Sequence, residues 1–305
     1  MKETKQPSVF GRAIVAIPLA MLACLLWGSA FPCVKIGYRL FNVDASAVPN
    51  IWMYAGVRFT MSGILIIAIM SIINRRFLYP KARGQRAHVL WLSLTQTSLQ
   101  YGFYYIGLSH ISGIKASIMN GLGVIILLVI SAFIFRQEKL TAKKVTASLI
   151  GLSGILLMNL GGSYGGFSLL GEGFIIISIV SANVSTCLMK EYSASDNPVM
   201  LSGWQFFVGG LMLIALAAAT GGSVHPDSPV AYAMMLYLAS LSAVAYTIWS
   251  IILKYNPVSR IAMCKFMVPV FGVILSAILL GEPLTLMCVA ALILVSLSII
   301  ITNKQ

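Results

Sequence analysis

Glu138-Lys139-Leu140-Thr141, set between two long apolar runs, returns 144 positions later as Glu282-Pro283-Leu284-Thr285, again between two apolar runs. The same offset lays Asn159 on Asn303, and an offset of 147 lays Arg58-Phe59 through Gly63 on Gln205-Phe206 through Gly210. The chain is therefore read as two copies of one unit, residues 1–163 and 164–305. Working outward, apolar runs of roughly 20 residues, the length that spans a bilayer as a helix, fall at 13–38, 51–73, 88–108, 112–135 and 142–160. A second five fall at 170–190, 199–219, 231–253, 257–280 and 284–302. Five spans per copy is an odd number, so the second copy must enter the membrane in the opposite sense. The expectation is an all-α membrane protein of ten transmembrane helices in two inverted five-helix repeats, an arrangement suited to alternating access.

Composition agrees. Of 305 residues, 59% are hydrophobic and 10% charged, with mean hydropathy +0.92, which excludes a water-soluble globule. The net charge of +13 has no polar face large enough to read nucleic acid, so the bilayer is the first partner. With the N-terminus inside, sixteen of the 21 Lys and Arg fall on the inner side, only Arg39 and Lys115 on the outer, and Lys35, Arg58 and Lys265 within spans. Both termini and the loop from Asn74 to Arg86 are thus expected to be cytoplasmic, and the linker around Tyr164 external. No cleavable signal peptide is read in the first apolar run. The cysteines Cys24, Cys33, Cys187, Cys264 and Cys288 stand singly in apolar runs and read as reduced core residues.

Three groups of residues add a family resemblance over essentially the whole chain: Leu26-Trp27-Gly28-Ser29 with Phe31 and Lys35, Arg58-Phe59, and the Glu138-to-Thr141 hairpin followed by Gly151 and Gly154. The second half supplies Pro269 ahead of Leu280-Gly281-Glu282-Pro283-Leu284-Thr285. The chain resembles the drug/metabolite transporter superfamily, specifically its EamA-type ten-helix members. Departures are Ile125 at the position matching Pro269, Gln137 in place of a glycine before Glu138, and Ala182 where Trp27 would repeat. The resemblance implies export of a small polar metabolite such as an amino acid or carboxylate across a bacterial plasma membrane. It also implies a cavity surrounded by helices one, three, four, six, eight and nine.

Intramembrane ionisable groups mark transport paths unless long side chains snorkel out. Lys35 lies near the outer end of the first span and Arg58 about seven residues, on the order of 10 Å, from the outer end of the second. Lys265 is equally deep from the inner side, four residues before Pro269. No Asp or Glu reaches that depth, because Glu138 and Glu282 sit at hairpin ends, each ahead of a Thr N-cap, and Glu172 near an outer end. A carboxylate proton relay is absent, and a substrate with an anionic group is favoured. Gln96, Gln100, Tyr101 and Tyr104 in the third span, with Tyr246 and Trp249 in the eighth, form polar and aromatic stripes that serve either a pocket or bundle packing. The resemblance favours the pocket, and adds Trp27, Asn120 and Asn183. Pro32 and Pro269 are candidate hinges, and Pro18 with Pro32 marks bends in the first span.

His88, His110 and His225 lack partners at metal spacing, and no catalytic constellation, phosphate-binding loop or cofactor motif is present. An energy source from a gradient is expected, through a coupling proton or a counter-substrate. Two other classes stay open at this point: a lipid flippase or scramblase, and a polytopic membrane enzyme, the latter disfavoured by the missing acid, base and metal ligands.

Overall fold

Residue types at the helix ends set where the helices begin and stop. Asn197 Oδ1 accepts from the amides of Val199 (2.8 Å) and Met200 (3.3 Å), and Pro198 follows at the first helical position, where its missing N–H costs nothing. Asn42, Arg75 and Arg136, at φ of 49°, 50° and 51°, turn the chain left-handed directly after three helical segments.

The computed structural model describes residues 8–44, 46–110, 113–158, 168–280 and 286–303. Among these, every regular element is helical: α1 (Ala13–Leu40), α2 (Val48–Ile73), α3 (Arg83–Leu92), α4 (Gln100–His110), α5 (Gly113–Val129), α6 (Ala142–Met158), α7 (Phe174–Tyr192), α8 (Pro198–Ala219), α9 (Pro229–Tyr255), α10 (Val258–Ala262), α11 (Met267–Leu280) and α12 (Leu286–Asn303). The linker around Tyr164, Asn159 and the segment from Gly281 to Thr285 lie outside the described residues, as do the side chains of Phe31, Lys35, Lys115 and Cys288.

Five stretches are each long and apolar enough to cross a membrane alone: Ala13–Val34, Val48–Ile73, Leu169–Tyr192, Pro198–Ala219 and Pro229–Tyr255. Shorter apolar helices accompany them at Leu122–Ile134 and Ile293–Thr302. Ile69, Ile72, Leu211, Leu216 and Val244 present exposed apolar side chains from these helices, a surface that lipid rather than water satisfies.

Four of the apolar runs are not continuous α-helix, the sixth because it opens in a π-helical stretch, Leu169–Gly173, ahead of α7. The third is α3 and α4 joined by a π-helical stretch, Ser93–Leu99, and the fourth ends in another, Ile130–Ile134. The ninth is α10 and α11 joined by a 3₁₀ turn, Met263–Phe266. Pro269 explains the last: it has no N–H to give the carbonyl of Lys265 and its ring pushes that carbonyl away, so the preceding turn tightens. Pro18 and Pro32, in contrast, lie inside α1 without interrupting it.

Packing follows small residues. α2 lies along α8, the two segments related by the 147-residue offset, and their backbones nearly touch. A Cβ added at Gly63 would come within 2.7 Å of Gly203 O and would overlap the Phe207 backbone, and one at Gly56 would lie 2.9 Å from Gly210 O. Elsewhere α1 packs on α9 and α11, α7 on α4 and α5, and α6 on α12.

Loop contacts divide the bundle into two ends. At one, Asn256 Nδ2 donates to Phe10 O, Lys254 Nζ to Asp196 O, and His88 Nδ1 lies 2.7 Å from Asp196 Oδ2 with its ring stacked on Tyr192. Glu138 joins this end by a longer reach. Its Oε1 accepts from the Ser259 amide and its Oε2 from the Ser259 hydroxyl, both at 2.6 Å, while Lys144 Nζ closes on Oε2 at 2.6 Å. The carboxylate is therefore more than a hairpin feature, because it ties the end of the fourth span to the start of the ninth. At the opposite end Asp227 N bonds Leu40 O, His225 N bonds Phe41 O, and the Asn42 amide bonds the Asp227 carboxylate.

Candidate functional site: a central cavity

One face of α1 recurs at Trp27, Ala30, Val34 and Tyr38, steps of three and four that bring side chains to the same side of a helix. α7 does the same with Ser178, Ile179, Ala182, Asn183 and Thr186. These two faces enclose a cavity of about 380 Å³, within the range of small-molecule sites. Gln96, Gln100, Tyr101 and Tyr104 enter it from the third span, Asn120 and Gly123 from α5, Tyr246 and Trp249 from α9, and Lys265 and Pro269 from the broken ninth run. Spans one, three, four, six, eight and nine thus surround the cavity, and Arg58 reaches it from α2.

Local irregularity aims several of these groups. Gln96 sits in the π-helical stretch, which shifts the register between α3 and α4, and Lys265 sits in the 3₁₀ turn made by Pro269. Broken helices beside a cavity are where a membrane protein tolerates irregular backbone.

Most polar groups lining the cavity are already engaged. Tyr101 and Tyr246 share a hydroxyl contact of 2.9 Å. Ser185 Oγ donates to Gln96 Oε1 at 3.1 Å and Asn183 Nδ2 to Gly123 O at 2.8 Å. Arg58, which sequence depth leaves able to reach the headgroups, is buried instead: Nη2 donates to Ser242 Oγ at 2.8 Å and Nε to Leu238 O at 3.4 Å, with Cζ 5.2 Å from the Phe59 ring centre. It fastens α2 to α9 from the cavity wall.

Lys265 is different. Its Nζ lies 5.0 Å from the Trp249 ring centre, and among the described residues no anion or hydrogen-bond acceptor meets it. Trp27 Nε1, which is buried, has no acceptor either. The Trp27 ring packs on Trp249 at 4.9 Å and on Tyr246 at 5.1 Å, so these two donors flank one aromatic wall; the Tyr38 hydroxyl, elsewhere on the cavity wall, has no partner either. Among the described residues no carboxylate lines the cavity, and no group of His, Cys, Asp and Glu could hold a metal ion.

Of the residues singled out from sequence, Lys35 belongs to α1 but its side chain is not described, and Pro32 is not part of the cavity wall. The others meet at the cavity. Tyr38, Ser178, Thr186 and Phe266 also line it and were missed. Tyr38 was readable, as it falls four residues after Val34 on the face begun by Trp27.

Comparison with known proteins places the whole arrangement. The model of the EamA-like transporter family matches residues 14–160 and again 169–304. An "Uncharacterized transporter" of Archaeoglobus fulgidus is 27% identical over 287 residues, 93% of this chain and 97% of that protein. A "Probable amino-acid metabolite efflux pump" of Salmonella typhimurium is 25% identical over 296 residues, 91% of each chain. A solved crystal structure superposes with TM-score 0.77 at 16% identity, covering 94% of this chain and 96% of that one, a likeness of fold. With two matched copies, long apolar helices and full-length transporter relatives, this integral membrane protein belongs to the EamA-like transporter family.

Proposed function

We propose that the protein is a secondary transporter that exports a small polar metabolite, an amino acid or related carboxylate, by alternating access between two inverted five-helix repeats, residues 1–163 and 164–305. It works in a bacterial plasma membrane with both termini cytoplasmic, driven by a coupling proton or a counter-substrate. The observation that carries this reading is the cavity of about 380 Å³ holding an ammonium, Lys265, with no anion beside it among the described residues. A substrate carboxylate supplies both the missing charge and the missing acceptors. The efflux pump of Salmonella typhimurium, similar along nearly its whole length, supports export of amino-acid-like solutes.

Paired packing supports the inverted repeat. α4 on α7 corresponds to α9 on α1, and α5 on α7 to α11 on α1, as two copies related by an in-plane axis require. The loop groups support the topology, since Arg86, Lys144, Lys190, Lys254 and Arg260 belong to the end that holds Phe10 and Glu138.

The test is reconstitution into liposomes, with counterflow of labelled amino acids and organic acids measured beside movement of a labelled lipid. Solute counterflow is expected. Lipid movement without solute counterflow would replace this reading with a scramblase. A cysteine at Ser163, introduced as Ser163→Cys, should react with an impermeant reagent from outside intact cells; labelling only after lysis would overturn the topology.

A further inference from the structure

We infer that the substrate is a net anion, a carboxylate carried on a flat apolar body with no ammonium of its own, bound between Lys265 Nζ and Trp27 Nε1. The inference rests on the transporter reading above and narrows it from small polar metabolites to one charge class.

Three observations converge. First, two donors beside the Trp249 ring stand without acceptors among the described residues; the other unpartnered group of the cavity wall, the Tyr38 hydroxyl, belongs to the far end of the α1 face. Lys265 touches only a ring face, at 5.0 Å, and Trp27 Nε1 is buried and unbonded. A buried donor such as Trp27 Nε1 without an acceptor is costly, and the two donors flank the same Trp249 ring, since Trp27 packs on it, tilted, at 4.9 Å. A carboxylate offers two acceptor oxygens and a full negative charge, so it satisfies both donors together; a hydroxyl or a carbonyl supplies no charge.

Second, no acid faces the cavity among the described residues. The ammonium of an α-amino acid lies next to its own carboxylate, so docking that carboxylate on Lys265 brings two cations together where no carboxylate separates them. Ring faces are the cation-attracting surfaces close to this point, and Lys265 already occupies that of Trp249. The site therefore works against a zwitterion. The remaining polar side chains nearby, Tyr101, Tyr246, Gln96 and Asn183, have partners within the wall.

Third, the surface leading away from the two donors is aromatic and continuous. From Trp249 it passes to Trp27, to Tyr246 at 5.1 Å, and on to Tyr101 through the 2.9 Å hydroxyl contact. Tyr101 is backed by Phe59 at 4.3 Å and Tyr246 by Phe206 at 4.7 Å, which hold the rings in place. Such a wall accepts a planar or unsaturated body by stacking.

Four probes of one shape separate the charge classes: 3-phenylpropanoate, phenylalanine, phenethylamine and 3-phenylpropanol. Purified full-length protein is heated with each, and liposome counterflow is measured with labelled 3-phenylpropanoate against a panel that includes aliphatic solutes. We expect 3-phenylpropanoate to raise the melting temperature with a half-saturating concentration about tenfold or more below that of phenylalanine, the scale of one charged hydrogen-bonded contact. The amine and the alcohol should give no shift. Trp27→Phe keeps the ring and removes the donor, and should weaken the acid about tenfold while leaving the unliganded melting temperature in place. Phenylalanine binding as well as the acid, or an unchanged Trp27→Phe protein, would overturn the inference. If Trp27→Phe does not accumulate, the wild-type order of acid, zwitterion and alcohol decides. Counterflow of aliphatic solutes with all four probes silent would sink the inference and leave the transporter reading standing, whereas no counterflow of any solute would remove both.

Discussion

Replacing Lys265 by methionine keeps most of the side-chain volume and removes the one cavity cation that lacks a partner among the described residues. Two consequences of opposite sign follow. For the empty protein, the variant loses a cation–π contact with Trp249, at 5.0 Å worth about 0.5 to 2 kcal/mol. It also sheds a half-buried ammonium with no anion beside it among the described residues, a cost below the several kcal/mol of a fully buried ion. The two nearly offset, so stability should hold or rise slightly. For the bound state the sign reverses, because truncating one member of a buried, hydrogen-bonded charge pair costs about 2 to 5 kcal/mol. A value of about 3 kcal/mol corresponds to roughly 150-fold in kcat/KM at 1.36 kcal/mol per tenfold. The assay is counterflow of carboxylate-bearing solutes in liposomes at matched protein content, beside thermal melting in detergent. Lys265→Met with unchanged counterflow would assign the lysine to the wall and remove the main argument for an anionic substrate. A fall of several degrees in melting temperature would show that Lys265 is structural.

Four other variants probe the scaffold. Glu138→Gln removes the charge shared by Ser259 and Lys144, and should open the end where the fourth and ninth spans meet. Thiol reagents should then modify Cys187 and Cys264 several-fold faster than in wild type, where both are buried; equal rates would show that the contact gates nothing. Gly63→Val places atoms inside the Gly203 and Phe207 backbones, with an expected loss of about 1 to 3 kcal/mol or failure to accumulate, whereas Gly84→Ala, with nothing within 4 Å, should gain up to about 1 kcal/mol. Pro269→Ala restores a donor to the Lys265 carbonyl and should straighten the ninth span; transport should fall several-fold with stability unchanged or higher, and full transport would deny the break a functional part.

Periodicity made much of this legible. Apolar runs and the spacing of Gln96, Gln100 and Tyr104 are local signals, and a helix converts them into faces without help from distant residues. The polar and aromatic residues those signals single out are the ones the structure gathers around one cavity. Long-range bonds were not legible in the same way. Nothing local to Glu138 announces Ser259, 121 positions away, and Lys190 reads as a loop charge although its ammonium donates to the carbonyls of Leu253, Lys254 and Asn256 at 2.7–3.0 Å, capping the end of α9. Arg58 shows the same limit: its depth along α2 marks it for the cavity it reaches, and only the position of Ser242 on α9 shows what holds it there. The π-helical stretch that sets Gln96 depends on how it seats against α7 and α8, which a single-helix reading cannot supply.

Where the two halves differ says more about the cargo than where they agree. The offset of 144 residues pairs Lys265 with Gly121 and Pro269 with Ile125; α5 runs unbroken through Gly121 and Ile125, while the ninth run breaks at Met263–Phe266. On the inverted-repeat reading, the shared features, such as the glycine contacts of α2 with α8, let the halves rock between two states of similar energy. A ligand shifts that balance only by binding one state better than the other. With an unpaired cation, Lys265, in one half, and in the other a cation, Arg58, already bonded to Ser242 and Leu238, a ligand charged at one end has a single favoured orientation, with its anion held beside the broken ninth span. Occupancy is then felt at Lys265 and Pro269, one turn apart on the segment that begins at Ser259, where Glu138 of the other half is attached. A symmetric site would hold the same ligand in two orientations and leave that connection between cargo and closure without a direction.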